Sequence, residues 1–231
     1  MYNLEDIINN IHATPSDINE HIPTLVKYAS ECDHITEMGV RGIVSTWALL
    51  AGKPKIFKCY DISNLDTSVA KKAAEEEGID FQFINADVLN VSIENTDLLF
   101  IDTLHRYLQL KKELQLHAPK TKKYIILHDT TTYGNVDEPI YQPECQLKNV
   151  TSEKQGLLPA IDEFLCTEEG KKWEQHQQSP QQILNPRFSR AAPLSSLISG
   201  PNGADHAALS VLSLKRSPQR MLARSRSSNS T

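Results

Sequence analysis

The chain has 231 residues with a formal net charge of −5, and 39% of them are hydrophobic. That share supports an ordinary globular core. The longest apolar runs, such as Leu98–Ile101, have the length of strands, so we expect no membrane span. Residues 1–6 have no basic start and no apolar core, and we expect no secretory signal. The four cysteines form no Cys-x-x-Cys pair, which favours reduced thiols in a cytoplasmic protein.

Charge is distributed unevenly along the chain. Residues 187–231 contain seven Lys/Arg and one acid, together with 11 serines and a single aromatic residue. This composition is typical of a disordered segment. The rest of the chain is acidic, and the basic tail lacks the aromatic residues that stack on bases. We therefore expect no specific nucleic-acid partner.

The central region alternates between strand-like and helix-like segments. Strands are predicted at His34–Gly39, Lys55–Asp61, Phe81–Ala86, Asp97–Asp102 and Lys123–Asp129. Helices are predicted at Ile43–Ala51, Ser68–Glu77, Leu104–His117 and Gly156–Cys166. Strands separated by helices form parallel sheets with right-handed crossovers. The sequence therefore predicts an α/β fold, a Rossmann-like, doubly wound and mostly parallel sheet with helices on both faces.

The flanking regions suggest three parts. Two short helices are predicted before the first strand. One is at Leu4–Ile11. The other continues to about Ser30, and Asp17 and Glu20, near its start, have capping-box spacing. We expect an N-terminal helical cap at 1–33, a Rossmann-like domain at 34–186 and a basic, disordered tail at 187–231. The polar stretch at 130–152 has the length of a lid or binding loop. Within the tail, only Ala207–Leu214 has the character of a strand.

An acidic residue lies at the end of every predicted strand. These residues are Glu37, Asp61, Asp87, Asp102 and Asp129. Ligands of open parallel sheets bind beyond the carboxyl ends of the strands. A single acid at such a position often only caps the next helix. Five acids at five neighbouring strand ends indicate one shared binding crevice.

The first turn is unlike a dinucleotide fingerprint. Residues 37–42 read EMGVRG, without the middle glycine that lets a backbone approach a pyrophosphate. A carboxylate at Glu37 suits a ligand with an ammonium group and a sulfonium. Asp61 is placed for the two hydroxyls of a ribose, and Asp87 for the exocyclic amine of adenine. Together these residues describe S-adenosylmethionine better than NAD.

A metal site is possible at the next two strand ends. Neighbouring strand ends lie about 5 Å apart, so Asp102 and Asp129 can share a divalent ion that His128 or water completes. Two carboxylates with water suit Mg²⁺, and an added imidazole favours Mn²⁺, Fe²⁺ or Zn²⁺. In the alternative interpretation, Asp102 caps a helix and His128 is packed in a site that satisfies it.

These motifs resemble one branch of the class I S-adenosylmethionine-dependent methyltransferases, the macrocin O-methyltransferase and cephalosporin-hydroxylase-like group. The resemblance spans roughly residues 14–173. It is carried by SDINEH at 16–21, EMGVR at 37–41, STW at 45–47, IDTLHRY at 101–107 and LHDT at 127–130.

The resemblance implies a seven-stranded sheet with the cofactor over the first three strands. The predicted cofactor-binding residues are Glu37, Gly39, Val40, Arg41, Asp61, Ile62, Asp87 and Asp102, and the predicted ligands of Mg²⁺ are Asp102, His128 and Asp129. Some members have an Asp, proposed as the general base, where this chain has Leu104, and His105 is the nearest substitute. Relatives also end in an antiparallel strand pair, which the sequence after Trp173 does not predict. Either Ala207–Leu214 supplies a displaced last strand or the tail is a foreign or misread extension.

The predicted function is metal-assisted O-methylation of a small hydroxylated acceptor, such as a sugar, a glycan or a natural product. His105 and Asp102 are the predicted catalytic residues, and a homo-oligomer is compatible with the sequence. Two alternatives stay open. One is a metal-dependent hydroxylase or other oxidoreductase, because His105, His128 and either Asp102 or Asp129 have the residue types of a facial triad. The other is a module that binds the cofactor without catalysis.

Overall fold

The structure, a computed structural model, describes residues 2–140, 150, 152–178 and 209–214. The strands are β1 (His34–Met38), β2 (Ile56–Asp61), β3 (Asp80–Asn85), β4 (Thr96–Ile101), β5 (Thr121–Leu127), β6 (Trp173–Gln178) and β7 (Leu209–Leu214). The α-helices are α1 (Leu4–Ala13), α2 (Ile22–Ala29), α3 (Val44–Ala51), α4 (Ser68–Glu76), α5 (Tyr107–His117) and α6 (Leu157–Cys166). None of these helices is long and apolar enough to cross a membrane.

In this part of the chain the strands form one seven-stranded sheet in the order β3-β2-β1-β4-β5-β7-β6. Strands β1 to β5 pair in parallel, and β7 runs antiparallel to both of its neighbours. The predicted α/β class, with its mostly parallel sheet, is confirmed. The strand order reverses between β1 and β4, and ligands bind at such a reversal, beyond the carboxyl ends of the strands.

Helices cover both faces of the sheet. On one face, α1 to α4 bury residues such as Leu25 and Ala73 in a cluster with Phe57 and Phe100 of the sheet. On the other face, α5 and α6 bury Leu114 and Ile161 against the sheet. The two N-terminal helices therefore share a hydrophobic core with the sheet.

The C-terminal strand pair corrects one expectation from the sequence. The segment directly after residue 172 is strand β6, and β7 pairs with it from Trp173↔Leu214 to Gln178↔Leu209. The sequence left two alternatives for the tail, a displaced last strand at Ala207–Leu214 or a foreign or misread extension. The structure has the displaced strand. Its apolar residues explain its place, because Val211 and Leu212 are fully buried. Otherwise the predicted disordered tail at 187–231 lies outside the described residues.

Two local predictions were wrong. Asp17 and Glu20 form no capping box. A 3₁₀ turn (Asn19–His21) precedes α2, and the N-terminus of neither the turn nor α2 is capped by a side chain. Helix α5 begins at Tyr107 rather than at Leu104. The cause lies far along the chain, because Asp137 Oδ1 accepts a hydrogen bond from the Tyr107 N–H at 2.8 Å. The preceding residues therefore stay in a loop.

Replacing Leu212 by alanine tests whether β7 belongs to the core. We expect the variant to lose about 2–5 kcal/mol in the free energy of unfolding, because a buried leucine is truncated between two sheet neighbours. The control is Leu116→Ala on α5, where the leucine is 45% exposed, and it should change stability by less than about 0.5 kcal/mol. Urea unfolding followed by circular dichroism measures both. Equal losses would contradict the burial of β7.

Candidate active site

A cavity of about 830 Å³ opens at the carboxyl ends of the parallel strands. Residues that follow each of the strands β1 to β5 contribute to its wall, and the segment between α1 and α2 forms another part of it. Among the lining residues are Ser16, Asp17, His21, Gly39, Arg41, Asp61, Ile62, Asp87, Asp102, His105 and Asp129. The predicted crevice therefore exists, with four of the five strand-end acids in its wall.

The turn after β1 requires a glycine. Gly39 has φ +84°, and a Cβ atom there would lie 2.0 Å from the carbonyl oxygen of Asp102. The end of β1 thus packs directly against the end of β4, without a side chain between them. Arg41 and Ile43 also have positive φ angles, of 36° and 55°. The turn is therefore tightly constrained at the floor of the cavity.

Asp61 connects the end of β2 to this turn. Its Oδ2 accepts hydrogen bonds from the backbone N–H groups of Val40 at 2.8 Å and Arg41 at 3.2 Å. Its Oδ1 accepts one from the Ser63 N–H at 2.7 Å. Asp87 has a capping role as well, because its Oδ1 accepts a hydrogen bond from the Leu89 N–H at the start of a 3₁₀ turn. Asp61 and Asp87 both line the cavity while they accept these backbone hydrogen bonds.

Glu37 is not among the residues that line the cavity in the described part of the chain, and its contact with a bound ligand stays a prediction. Its side chain is fully buried and accepts hydrogen bonds from the hydroxyls of Ser45 at 2.6 Å and Thr46 at 2.8 Å, and from the Cys59 thiol. It lies on the face of β1 that packs against α3. Burial raises its pKa to about 7, although the hydrogen bonds oppose this shift. Glu37 therefore supports the floor of the site from beneath.

Val40 is a second predicted cofactor-binding residue that is not among the residues lining the cavity. Its side chain is 3% exposed and belongs to the core, because the turn directs it away from the cavity. Only its backbone N–H reaches the site, through Asp61. The other predicted cofactor-binding residues, which are Gly39, Arg41, Asp61, Ile62, Asp87 and Asp102, line the cavity.

Asp102 lies between two imidazoles. Its Oδ1 is 3.1 Å from His105 Nε2 and 3.1 Å from His128 Nδ1. Asp129 Oδ2 lies further away, at 3.8 Å and 3.6 Å from the same two nitrogens. Asp129 has a left-handed backbone with φ 54°, a strained conformation for a residue other than glycine. Such strain is often concentrated at functional sites.

The electrostatics of this cluster favour charged groups. Burial alone would raise the pKa of Asp102, but the imidazoles of His128 and His105 hold it below its ordinary value. Burial would lower the pKa of His105, but hydrogen bonds with Asp102 and Glu138 raise it to about 10. The Asp102 carboxylate likewise raises the pKa of His128 against the effect of burial. An ionised Asp102 and a protonated His105 are therefore the favoured forms at neutral pH.

The group of atoms best suited to a metal differs from the predicted set. In the described part of the chain, ligand atoms of Asp102, His105 and His128 lie within 4.8 Å of one another. His105 thus replaces Asp129 in the tightest group. His128 is 1% exposed, and its Nε2 lies 3.3 Å from the carbonyl oxygen of Asp17. Both of its ring nitrogens have acceptors, as the alternative interpretation of a satisfied, packed histidine expected.

His105 lies in the loop before α5, not within the helix predicted at Leu104–His117. Its Nδ1 lies 2.9 Å from Glu138 Oε2, and its backbone N–H donates to the same oxygen at 3.0 Å. The Tyr133 ring stacks on the imidazole with a centroid distance of 5.1 Å and an interplanar angle of 10°. Sequence reasoning missed both residues, because they lie in a polar stretch without periodicity. The adjacent acids Asp137 and Glu138 were the available signal.

A second buried acid supports the cavity wall beside Asp102. Glu113 is fully buried and accepts hydrogen bonds from Thr103 Oγ1 at 2.6 Å and Gln109 Nε2 at 2.7 Å. Thr103 and Gln109 both line the cavity. Burial raises the pKa of Glu113 to about 7. The wall beside Asp102 is thus held by a carboxyl group that does not itself reach the cavity.

Solved structures share this architecture. No protein-family model and no curated protein sequence matches the chain. A protein from Klebsiella pneumoniae, assigned provisionally as an O-methyltransferase, is 12% identical with a TM-score of 0.52, over 92% of this chain and 90% of that one. An S-adenosylmethionine-dependent methyltransferase from Clostridium acetobutylicum is 13% identical with a TM-score of 0.50, over 92% and 98%. The chain therefore has the Rossmann-like methyltransferase fold.

Gly39→Ala tests the close packing at the floor of the site, with Gly78→Ala as its matched control. Both glycines have positive φ, so an alanine at either position must adopt a left-handed conformation, which costs about 1–2 kcal/mol of unfolding free energy. A Cβ at Gly78 meets nothing within 4 Å, whereas one at Gly39 clashes with the backbone of Asp102. We expect Gly39→Ala to lose clearly more unfolding free energy in urea. Equal losses would show that β1 and β4 do not approach this closely.

The pH dependence of stability tests the burial of Glu37. In the unfolded chain Glu37 ionises near pH 4.5, and in the folded protein near pH 7. Between these values the folded protein keeps a proton that the unfolded chain releases, so the free energy of unfolding falls as pH rises through this range. Glu37→Gln has no such proton, and its stability should fall less between about pH 5 and about pH 7.5. Urea unfolding at both pH values checks this, and identical decreases would exclude the shift.

Proposed function

We propose that the chain is an S-adenosylmethionine-dependent methyltransferase that acts on a hydroxyl group of a small acceptor. The proposal depends on one observation, which is that these groups line the same cavity. The glycine turn, Asp61 and Asp87 lie at the ends of β1, β2 and β3, and Asp102 and His105 line the cavity beside them. The sequence motifs at 101–107 and 127–130 favour the macrocin O-methyltransferase and cephalosporin-hydroxylase-like branch. We retain that branch as part of the proposal.

The residues of the cavity fit this cofactor. Gly39 contributes only backbone to the cavity wall, and its missing Cβ lets the turn after β1 pack against the end of β4. The Asp61 carboxylate is suited to two ribose hydroxyls, and Asp87 to the adenine amine. Asp102 and Asp129 give the cavity wall a negative charge, which favours a cationic sulfonium.

Catalysis by this chain consists of positioning and proton transfer. S-adenosylmethionine supplies an electrophilic methyl group when it is bound. Alignment of the acceptor by the cavity wall contributes up to about 7–11 kcal/mol to such a displacement. His105 lies in that wall and accepts the hydroxyl proton at Nε2. The surrounding carboxylates favour its protonated form, and positive charge bound among them lowers the pKa of His105, so that Nε2 releases its proton and can accept one from the acceptor.

A divalent cation fits the donor set at Asp102. The predicted ligands are Asp102, His128 and Asp129, which leaves His105 to hold a proton. With an imidazole among the donors, Mn²⁺, Fe²⁺ or Zn²⁺ suits the group better than Mg²⁺, the ion the sequence predicts. Such an ion would supply a Lewis acid that lowers the pKa of an acceptor hydroxyl.

Calorimetric titration with S-adenosylhomocysteine tests the cofactor site. We expect the wild-type protein to bind one equivalent, and Asp61→Asn to bind at least about tenfold more weakly because a charged acceptor for the ribose is lost. Asp80→Asn is the control, since Asp80 is exposed at the opposite end of the neighbouring strand. Wild-type protein without heat of binding, or equal affinities of the two variants, would contradict the proposal.

Transfer of a radiolabelled methyl group tests the reaction itself. Purified protein is incubated with labelled S-adenosylmethionine and a panel of methyl glycosides, phenols and short glycans, with Mg²⁺, Mn²⁺ or EDTA. We expect labelled ether products that depend on metal, and a loss of about 10²-fold in Asp129→Ala. Transfer unaffected by EDTA and by Asp129→Ala would remove the metal and leave the cofactor proposal intact. Cofactor binding without transfer to any acceptor would favour a non-catalytic binding module.

The metal group itself favours one second candidate, a metal-dependent hydroxylase. Two imidazoles and one carboxylate within 4.8 Å of one another have the composition of a facial triad that binds Fe²⁺. Anaerobic titration with Fe²⁺ and separate titrations with NAD and S-adenosylhomocysteine distinguish the two functions. Tight Fe²⁺ binding without any binding of S-adenosylhomocysteine would favour the hydroxylase.

A further inference from the structure

We propose that Glu138 is a positioning residue for His105, holding its imidazole with Nδ1 directed to the Glu138 carboxylate and Nε2 directed toward Asp102 and the cavity. The proposal rests on the proposed function for the role of His105 as proton acceptor. It assigns to the segment after β5 a part in catalysis that goes beyond covering the acceptor.

Glu138 contacts His105 at three points. Its Oε2 lies 2.9 Å from His105 Nδ1 and accepts a hydrogen bond from the His105 backbone N–H at 3.0 Å. In return, the Glu138 N–H donates to the carbonyl oxygen of His105 at 2.9 Å. Two backbone contacts therefore fix the position of the carboxylate relative to the ring it contacts.

The ring is also restrained on its other sides. His105 Nε2 lies 3.1 Å from Asp102 Oδ1, and the Tyr133 ring stacks on its face. His105 and Glu138 are both only partly exposed, at 12% and 24% of their side chains. Rotation of the imidazole would break the Nδ1 contact and the Nε2 contact together, so one orientation is strongly preferred.

The orientation determines which nitrogen can accept a proton. Nδ1 contacts the Glu138 carboxylate, so Nε2 is the ring nitrogen that faces the cavity. The acceptor hydroxyl proton moves to Nε2 as the new O–C bond forms and the C–S electron pair passes to sulfur. A carboxylate has the same effect on the imidazole of a catalytic triad.

The neighbouring acid has a separate task. Asp137 Oδ1 accepts hydrogen bonds from the N–H groups of Tyr107 at 2.8 Å and Gly156 at 2.7 Å. Its Oδ2 lies 3.3 Å from Arg106 Nε. Asp137 therefore anchors the same segment to α5 and α6 without contacting His105. This difference provides a matched control for a purely structural role of Glu138.

Nitrogen NMR of isotope-labelled histidines tests the proposal directly. The chain has eight histidines, and His105→Gln identifies the His105 signals. We expect the hydrogen-bonded Nδ1–H signal of wild-type protein to be lost in Glu138→Ala and largely restored in Glu138→Gln, whose amide oxygen still accepts. Asp137→Ala should lower the melting temperature but retain the signal. An unchanged signal in Glu138→Ala, or an equal loss in Asp137→Ala, would overturn the proposal.

Kinetics with an acceptor from the methyl-transfer panel give the second readout. Glu138→Ala should lower kcat by at least about tenfold and leave the KM for S-adenosylmethionine within about twofold, with partial rescue in Glu138→Gln. A rise in KM at unchanged kcat would overturn a role in proton transfer. Absence of transfer by the wild-type protein would refute the proposed function instead, and the NMR result would then decide alone whether Glu138 orients His105.

Discussion

The packing of Gly39 against the Asp102 carbonyl is the contact on which the rest of the site depends. It brings the ends of β1 and β4 together at the point where the strand order reverses. Because no side chain separates them, the turn after β1 and the loop after β4 form one continuous floor. Asp61 then ties that turn to β2. The cavity is therefore a consequence of backbone geometry, and the side chains around it add chemistry to a shape that already exists.

Acidic groups of two kinds surround this floor. Asp61, Asp87, Asp102 and Asp129 reach the cavity, where their charge attracts a cation. Glu37 and Glu113 are buried behind the wall, where burial raises the pKa of each to about 7. Glu113 holds a hydroxyl and an amide group of the wall in place, whereas Glu37 holds two hydroxyls of α3. An acid at a strand end is thus an ambiguous signal, because it can serve the ligand or the scaffold.

The sequence predicts the sheet well and the site in part. Apolar runs of strand length, each followed by an acid, were sufficient for β1 to β5 and for the position of the crevice. The orientation of Glu37 was not predictable, since it depends on which face of β1 meets α3. The loop at His105 was missed because Asp137 stops α5 from starting earlier, across 30 residues of sequence. Strand β6 was missed because its sequence after Trp173 is polar and becomes a strand only beside the buried β7.

A crystal structure of the protein grown with S-adenosylhomocysteine is the most direct test of the cofactor site. We expect the ligand to lie along the ends of β1 to β3, with its ribose hydroxyls on Asp61, its adenine amine at Asp87 and its sulfur on the side of Asp102 and His105. A ligand bound elsewhere, or a cavity that stays free of ligand at saturating concentration, would contradict it.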